Sequence, residues 1–204
     1  MDQLRSSAIP CKGIGVEFWI YQLDIGAVKA VNGTLAAAWL DPIMITLSST
    51  FTWVGVFRVV AGALVHRRRW DWIRVLVLMA IFIGFVDLFT YEGLKPFFNR
   101  IRPCKTWDFV RVVAGCGGWD SFPSNHATNG AVAAYFVYRL RGRFWGGLAF
   151  VALSAVCLSR VYLGVHYPSD VLGGAILGVA LSAAVFSLHW KWLTAQSLYH
   201  SQRT

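Results

Sequence analysis

Charge is scarce in this 204-residue chain: only 14% of residues are Asp, Glu, Lys or Arg, against 56% hydrophobic, and mean hydropathy is +0.52. So little charge excludes an ordinary soluble domain. There is no Gly/Ser-rich linker, low-complexity tract or internal repeat, so one domain over residues 1–204 is expected. Arg5 and Lys12 are followed by no uninterrupted apolar core, which argues against a cleavable signal peptide. The four cysteines include no CxxC pair and no histidine cluster of ligand spacing, so no metal site is expected. The net charge of +9 comes without a basic stripe interleaved with stacking aromatics, which argues against nucleic acid as a partner. Inner-leaflet lipid and an anionic substrate are the remaining sources of that charge.

What the chain does have is long apolar runs. Spans are expected at about 48–65, 73–90, 127–138, 144–158 and 171–188. The first stops at His66-Arg67-Arg68-Arg69, Arg139, Arg141 and Arg143 separate the third from the fourth, and Lys191 and Arg203 follow the fifth. The positive-inside rule places those segments in the cytoplasm and the long loop from Lys95 to Asp120 outside. Residues 18–47 are apolar at near-helical spacing but carry Asp24, Lys29, Asn32 and Asp41. They read as one or two amphipathic helices lying in the interface, with a sixth span as the alternative. The expected fold is thus an all-α integral membrane bundle of about five to six spans with N-terminal amphipathic interfacial helices. Trp70, Trp72, Trp145, Trp190 and Trp192 fall at span ends and read as interface anchors. Gly173, Gly174 and Gly178 read as close-packing positions, since no strand precedes them as in a nucleotide loop.

Three patches carry chemistry: Lys95-x6-Arg102-Pro103, Pro123-Ser124-Asn125-His126, and Ser159-Arg160-x5-His166-x3-Asp170. His166 and Asp170 are four apart around Pro168, which favours a first helical turn; the carboxylate can then accept from one imidazole nitrogen and leave the other free to attack. His166 is therefore the expected nucleophile. Ser124 is placed to cap the third span while backbone N–H groups face an anion, and His126 beside it is the expected general acid. Lys95, Arg102 and Arg160 are assigned to the phosphate, the guanidinium groups as forked donors and lysine as a point charge. Arg100, Lys105 and Arg111 fit no motif position and read as snorkelling cations.

In these patches the chain resembles the type 2 phosphatidic acid phosphatase (PAP2) superfamily of membrane lipid phosphatases, acid phosphatases and vanadium haloperoxidases. The resemblance covers about residues 94–174. It implies that His166 forms a phosphohistidine oriented by Asp170, that His126 protonates the leaving group, that Lys95, Arg102, Ser124, Asn125 and Arg160 bind phosphate, and that no metal or other cofactor is needed. Asn125 departs from the family's usual glycine; asparagine tolerates left-handed backbone and keeps its N–H, so activity with altered substrate preference is expected. Cys104 and Cys116 bracket the outer loop, and a disulfide there would hold the cations beside the helix starting at Ser124.

The implied function is a lipid phosphatase acting at the outer leaflet, with undecaprenyl diphosphate the leading substrate in a bacterial inner membrane. Phosphatidic acid, phosphatidylglycerol phosphate and lipid A 1-phosphate are the other substrates in view. A lipid phosphotransferase would use the same site. Continuous spans disfavour a soluble vanadate-dependent peroxidase, and intact His126, His166 and Asp170 disfavour a silent lipid-binding protein. Oligomeric state is not readable from the sequence.

Overall fold

Apolar runs interrupted by glycine, proline and basic punctuation become helices, and a computed structural model describes the backbone of residues 16–201 and the side chains of residues 19–188. Trp190, Lys191, Trp192 and Arg203 therefore lie outside the described side chains. In chain order the helices are α1 (Val16–Val28), α2 (Asp41–Ser48), α3 (Thr50–His66), α4 (Trp70–Leu88), α5 (Lys95–Phe98), α6 (Pro103–Thr106), α7 (Asn125–Arg141), α8 (Arg143–Tyr162) and α9 (Pro168–Ser201). Among the described residues there is no strand, only one antiparallel bridge between Ile101 and Asp120.

Among the described residues three helices are long and apolar enough to cross a membrane: Trp70–Phe98, Arg143–Tyr162 and Pro168–Leu188. Helices α2 and α3, bent by 61° at Ser49, make a fourth if they count as one span. The chain is an integral membrane protein of all-helical class. Helix α7 has the mixed composition of a helix enclosed by others, with small residues Ala127, Ala131 and Ala134 buried along it.

Small residues let the backbones of α7 and α9 approach closely, as membrane bundles require in place of a hydrophobic driving force. A Cβ at Gly178 would stand 2.3 Å from the Thr128 carbonyl oxygen, and one at Gly174 would stand 2.6 Å from that of Ser124. On the other side α4 packs on α7, and Val86, Val132, Phe136 and, from α9, Phe186 share one cluster, the last two rings edge to face at 4.9 Å. A single residue, Gly142 at φ 85°, reverses the chain between α7 and α8.

The N-terminal segment resolves an apparent conflict between apolar content and charge. Trp19, Leu23, Leu35 and Trp39 face outward, whereas Asp24 and Asn32 are buried against the bundle. Asn32 donates to the carbonyls of Tyr162 (2.7 Å) and Arg111 (2.9 Å) and accepts from the Arg111 N–H (2.8 Å). Asp41 accepts both forks of Arg111 at 2.7 and 2.8 Å and the Tyr162 hydroxyl at 2.6 Å. Polar groups thus point inward and apolar groups outward, the arrangement a hydrocarbon surround favours.

This corrects the reading of Arg100 and Arg111 as snorkelling cations. Arg111 is bound bidentately to Asp41, and Arg100 reaches Asp24 and Asp170. The physical reason is desolvation: a carboxylate in this setting needs a partner, and the outer loop supplies it. Lys105 instead lies over the Trp119 ring at 4.2 Å.

Candidate active site

The end of α4–α5, the start of α7, the end of α8 and the start of α9 meet at one end of the bundle. Main-chain bonds hold them there: the Ser124 N–H donates to the Asp170 carbonyl at 3.1 Å, and the Cys104 N–H donates to the Gly164 carbonyl at 3.0 Å. At the opposite end Arg141 lies over Trp72 at 5.2 Å, so the basic residues between α7 and α8 collect away from the site.

Lys95 and Arg102 converge on one acceptor, the Asp120 carbonyl, at 2.9 and 3.2 Å. Arg102 also donates to the Cys116 carbonyl at 3.0 Å, on the loop closed by the Cys104–Cys116 disulfide. The loop thereby fixes the direction of the guanidinium. Lysine retains further N–H donors after this one bond. Arg160, at the end of α8, donates to the Ser48 hydroxyl at the bend between α2 and α3. Arg102 and Arg160 line a cavity of about 280 Å³ with Ser48, Ser49, Gly117 and Leu163. The positive charges of both arginines act on both imidazoles, His126 and His166. The second and third patches and both arginines are thus brought within electrostatic reach of one another.

His166 sits in the turn between α8 and α9 and is 1% exposed. Its Nδ1 faces Asp170 Oδ2 at 3.5 Å, an approach longer than a formed hydrogen bond, and Nε2 is left as the other face of the ring. Burial pushes the His166 imidazole down to about 3, against the opposing pull of Asp170, so the ring is neutral near pH 7. A neutral ring keeps a lone pair for attack. Asp170 is itself held by the Tyr167 N–H at 2.8 Å and by Arg100 at 2.7 Å.

Two expectations at the head of α7 need correction. Ser124 occupies the N-cap position, yet its hydroxyl makes no capping bond and is a buried group without a partner. Its main-chain groups are committed instead, to Asp170 and to Thr128. Asn125 is helical rather than left-handed; Asn99 and Arg68 are the non-glycine residues with positive φ among those described. Its side-chain amide is committed to α4, donating to Asp87 Oδ1 at 2.9 Å and to the Asp87 carbonyl at 3.2 Å. Asn129 donates to the same carboxylate oxygen at 2.6 Å.

Asp87, Asn129, Arg100, Asp24 and Ser169 are joined by hydrogen bonds to the candidate site, and the motifs did not point to them. Asp87 had a usable signal, a carboxylate inside an apolar run. Arg100 had none, since its partner Asp24 lies 76 positions away. The buried Ser124 hydroxyl and Arg160 Nε, which belong to the second and third patches, have no partner and leave polar atoms for an incoming ligand to meet. Among the described residues no group of three or more His, Cys, Asp or Glu side chains is arranged to hold a metal ion.

The family model for the PAP2 superfamily matches residues 71–194, a stretch that contains all three patches. A lipid A 4'-phosphatase of Bacteroides thetaiotaomicron is 32% identical over 171 residues, covering 80% of this chain and 75% of that one. An undecaprenyl-diphosphatase of Sulfolobus acidocaldarius is 30% identical over 110 residues, 52% of this chain and 48% of that one. The crystal structure of a transmembrane PAP2-type phosphatidylglycerolphosphate phosphatase from Bacillus subtilis superimposes with a TM-score of 0.66 at 31% identity, over 85% of this chain and 88% of that one.

Proposed function

The chain belongs to the PAP2 superfamily of membrane lipid phosphatases, and from that premise we propose that it hydrolyses the terminal phosphate of a lipid phosphate or diphosphate at the outer leaflet, through a phosphohistidine on His166. The observation carrying this reading is the meeting of both imidazoles with Arg102 and Arg160 at one end of the bundle, around a buried His166 backed by Asp170. His166 Nε2 attacks phosphorus in line with the ester or anhydride oxygen, and His126 gives its proton to that departing oxygen. Lys95, Arg102 and Arg160 meet the charge on the equatorial oxygens. Water, deprotonated by His126, then attacks the phosphohistidine, releases phosphate and restores both rings. Ser124 contributes its unpartnered hydroxyl to the phosphate. Asn125 contributes its backbone N–H, its side chain serving to brace α4 against α7.

Undecaprenyl diphosphate is the favoured substrate. Two arginines beside a cavity of about 280 Å³ suit a second phosphate, and the exposed apolar faces of α3 and α4 suit a long tail in the bilayer. The basic end of α7 and α8 lies opposite the site, which under the positive-inside rule faces the site to the exterior or periplasm of a bacterial plasma membrane. The whole chain acts as one membrane-embedded domain. The test is phosphate release by detergent-purified protein, with chelator present, from undecaprenyl diphosphate, phosphatidic acid, phosphatidylglycerol phosphate and lipid A in parallel, with His166→Ala as the blank. Release fastest from undecaprenyl diphosphate and absent in the blank is expected. Equal release by His166→Ala sinks the nucleophile assignment, and a different preferred lipid sinks the substrate choice alone. Turnover only on adding an acceptor lipid assigns a phosphotransferase instead.

A further inference from the structure

We propose that Asp24 and Arg100 are positioning residues for the reaction: helix α1, through Asp24, holds the Arg100 fork that sets the direction of Asp170 and hence of the His166 ring. The inference rests on His166 being the nucleophile. Both halves of the fork are occupied. Arg100 Nη2 donates to Asp24 Oδ2 at 2.6 Å, while Nη1 donates to Asp170 Oδ1 at 2.7 Å and to the Ser169 hydroxyl at 2.6 Å. Asp24 in turn accepts the Ser169 N–H at 2.9 Å and the Ser169 hydroxyl, so α1 is tied to the first turn of α9 at two points. The guanidinium lies over the Tyr167 ring, its carbon 4.2 Å from the centroid.

Both carboxylate oxygens of Asp170 are engaged in this arrangement. Oδ1 faces Arg100, and Oδ2 takes the Tyr167 N–H and faces His166 Nδ1. Without Arg100 the carboxylate could rotate about its terminal torsion, which has a broad energy well, and the ring would lose its backing. The charges also suit the step. Asp24, Arg100 and Asp170 together carry one net negative charge, and phosphorylation of Nε2 makes the imidazole cationic with an Nδ1–H facing that charge. A planar five-donor group can hold two carboxylates and a hydroxyl in one plane, whereas lysine cannot reproduce the fork. An ion pair serving stability alone could sit anywhere in the bundle; this one ends on the carboxylate behind the nucleophile.

The experiment compares wild type, Asp24→Asn, Arg100→Gln and Ser169→Ala, with Lys105→Ala as control, using phosphate release from undecaprenyl diphosphate and phosphatidylglycerol phosphate. Turnover is normalised to active sites by trapping the phosphoenzyme, and unfolding temperature is recorded for each protein. Asp24→Asn and Arg100→Gln are expected to lose about 10- to 100-fold in kcat per active site with KM unchanged, the scale on which misplacement of a reacting group acts. Lys105→Ala is expected to match wild type. A kcat within twofold of wild type in folded Asp24→Asn overturns the proposal, as does a loss confined to KM. If Arg100→Gln fails to fold, Asp24→Asn and Ser169→Ala decide by the same criterion in the proteins whose unfolding temperature shows them folded, because they remove one charge or one hydroxyl at nearly constant shape. Activity surviving in His166→Ala is a separate failure, of the nucleophile assignment and not of this network.

Discussion

In the proposed reaction His126 is the residue on which both halves turn, because the same ring is assigned to protonate the leaving oxygen and then to activate water. Its role is separable from binding by the choice of leaving group. With a lipid alkoxide, which needs a proton to depart, His126→Ala should lose roughly 100- to 10,000-fold in kcat. With p-nitrophenyl phosphate, whose leaving group departs unprotonated, the loss in the phosphorylation step should be far smaller, and a phosphoenzyme should accumulate because water is no longer activated. Equal losses on the two substrates, measured by steady-state release and rapid-quench trapping, contradict the assignment. Beside it, Asn125 departs from the expectation drawn for it in one respect, the conformation of its backbone, which is helical. Asparagine was expected to serve through backbone geometry, but the amide is spent on Asp87, a contact between α4 and α7 that also employs Asn129.

At the scale of elements, the crossing of α7 and α9 sets the distance between the second and third patches. Gly174 faces the Ser124 carbonyl and the Thr128 hydroxyl, and Gly178 faces the Thr128 carbonyl, both with backbone that cannot move aside cheaply. Gly178→Ala should therefore destabilise by about 1–3 kcal/mol, the usual penalty of overpacking a close contact. Gly174→Ala should in addition lower kcat, because the strain falls on the Ser124–Asp170 bond. Gly147→Ala on α8, with nothing within 4 Å of the added methyl, should be neutral or slightly stabilising, since alanine is the better helix former. Thermal unfolding in detergent and turnover per active site check all three; equal behaviour of Gly147→Ala and Gly178→Ala would contradict the packing account. The spacing of these glycines was legible as small-residue packing, but the carbonyls they meet were not, since those belong to a helix some 50 positions earlier.

For the whole molecule, burial of His166 makes acid stability a reporter of the site. The ring's folded value of about 3 lies below its ordinary value near 6.5, so between these limits the unfolded chain binds more protons than the folded one. Stability is then fully present above about pH 6.5 and is lost as pH falls toward about 3. The unfolding temperature in detergent should drop between pH 7 and pH 5, and His166→Gln should flatten that slope. An unchanged slope in the variant would show that the ring is not held neutral. The same burial fits the proposed chemistry to a membrane bundle: His166, the proposed nucleophile, is kept dry, and an anionic substrate would supply the charge to meet Arg102 and Arg160.

The membrane class, the helix-forming runs and the patch chemistry were determined by the sequence itself, for a local reason. Apolar runs and glycine or proline punctuation act over a few residues, and His166 and Asp170 are only four apart, so short-range geometry suffices. The partners of Arg100, Arg111, Asn32 and Asn125 were decided only by tertiary structure. Their bonds span 38 to 130 positions, and nothing local tells a snorkelling arginine from one whose carboxylate arrives on a distant helix. Which cation faces phosphate and which is held by a carboxylate depends on how helices pack, because only packing decides which charges lose their water and must find one another.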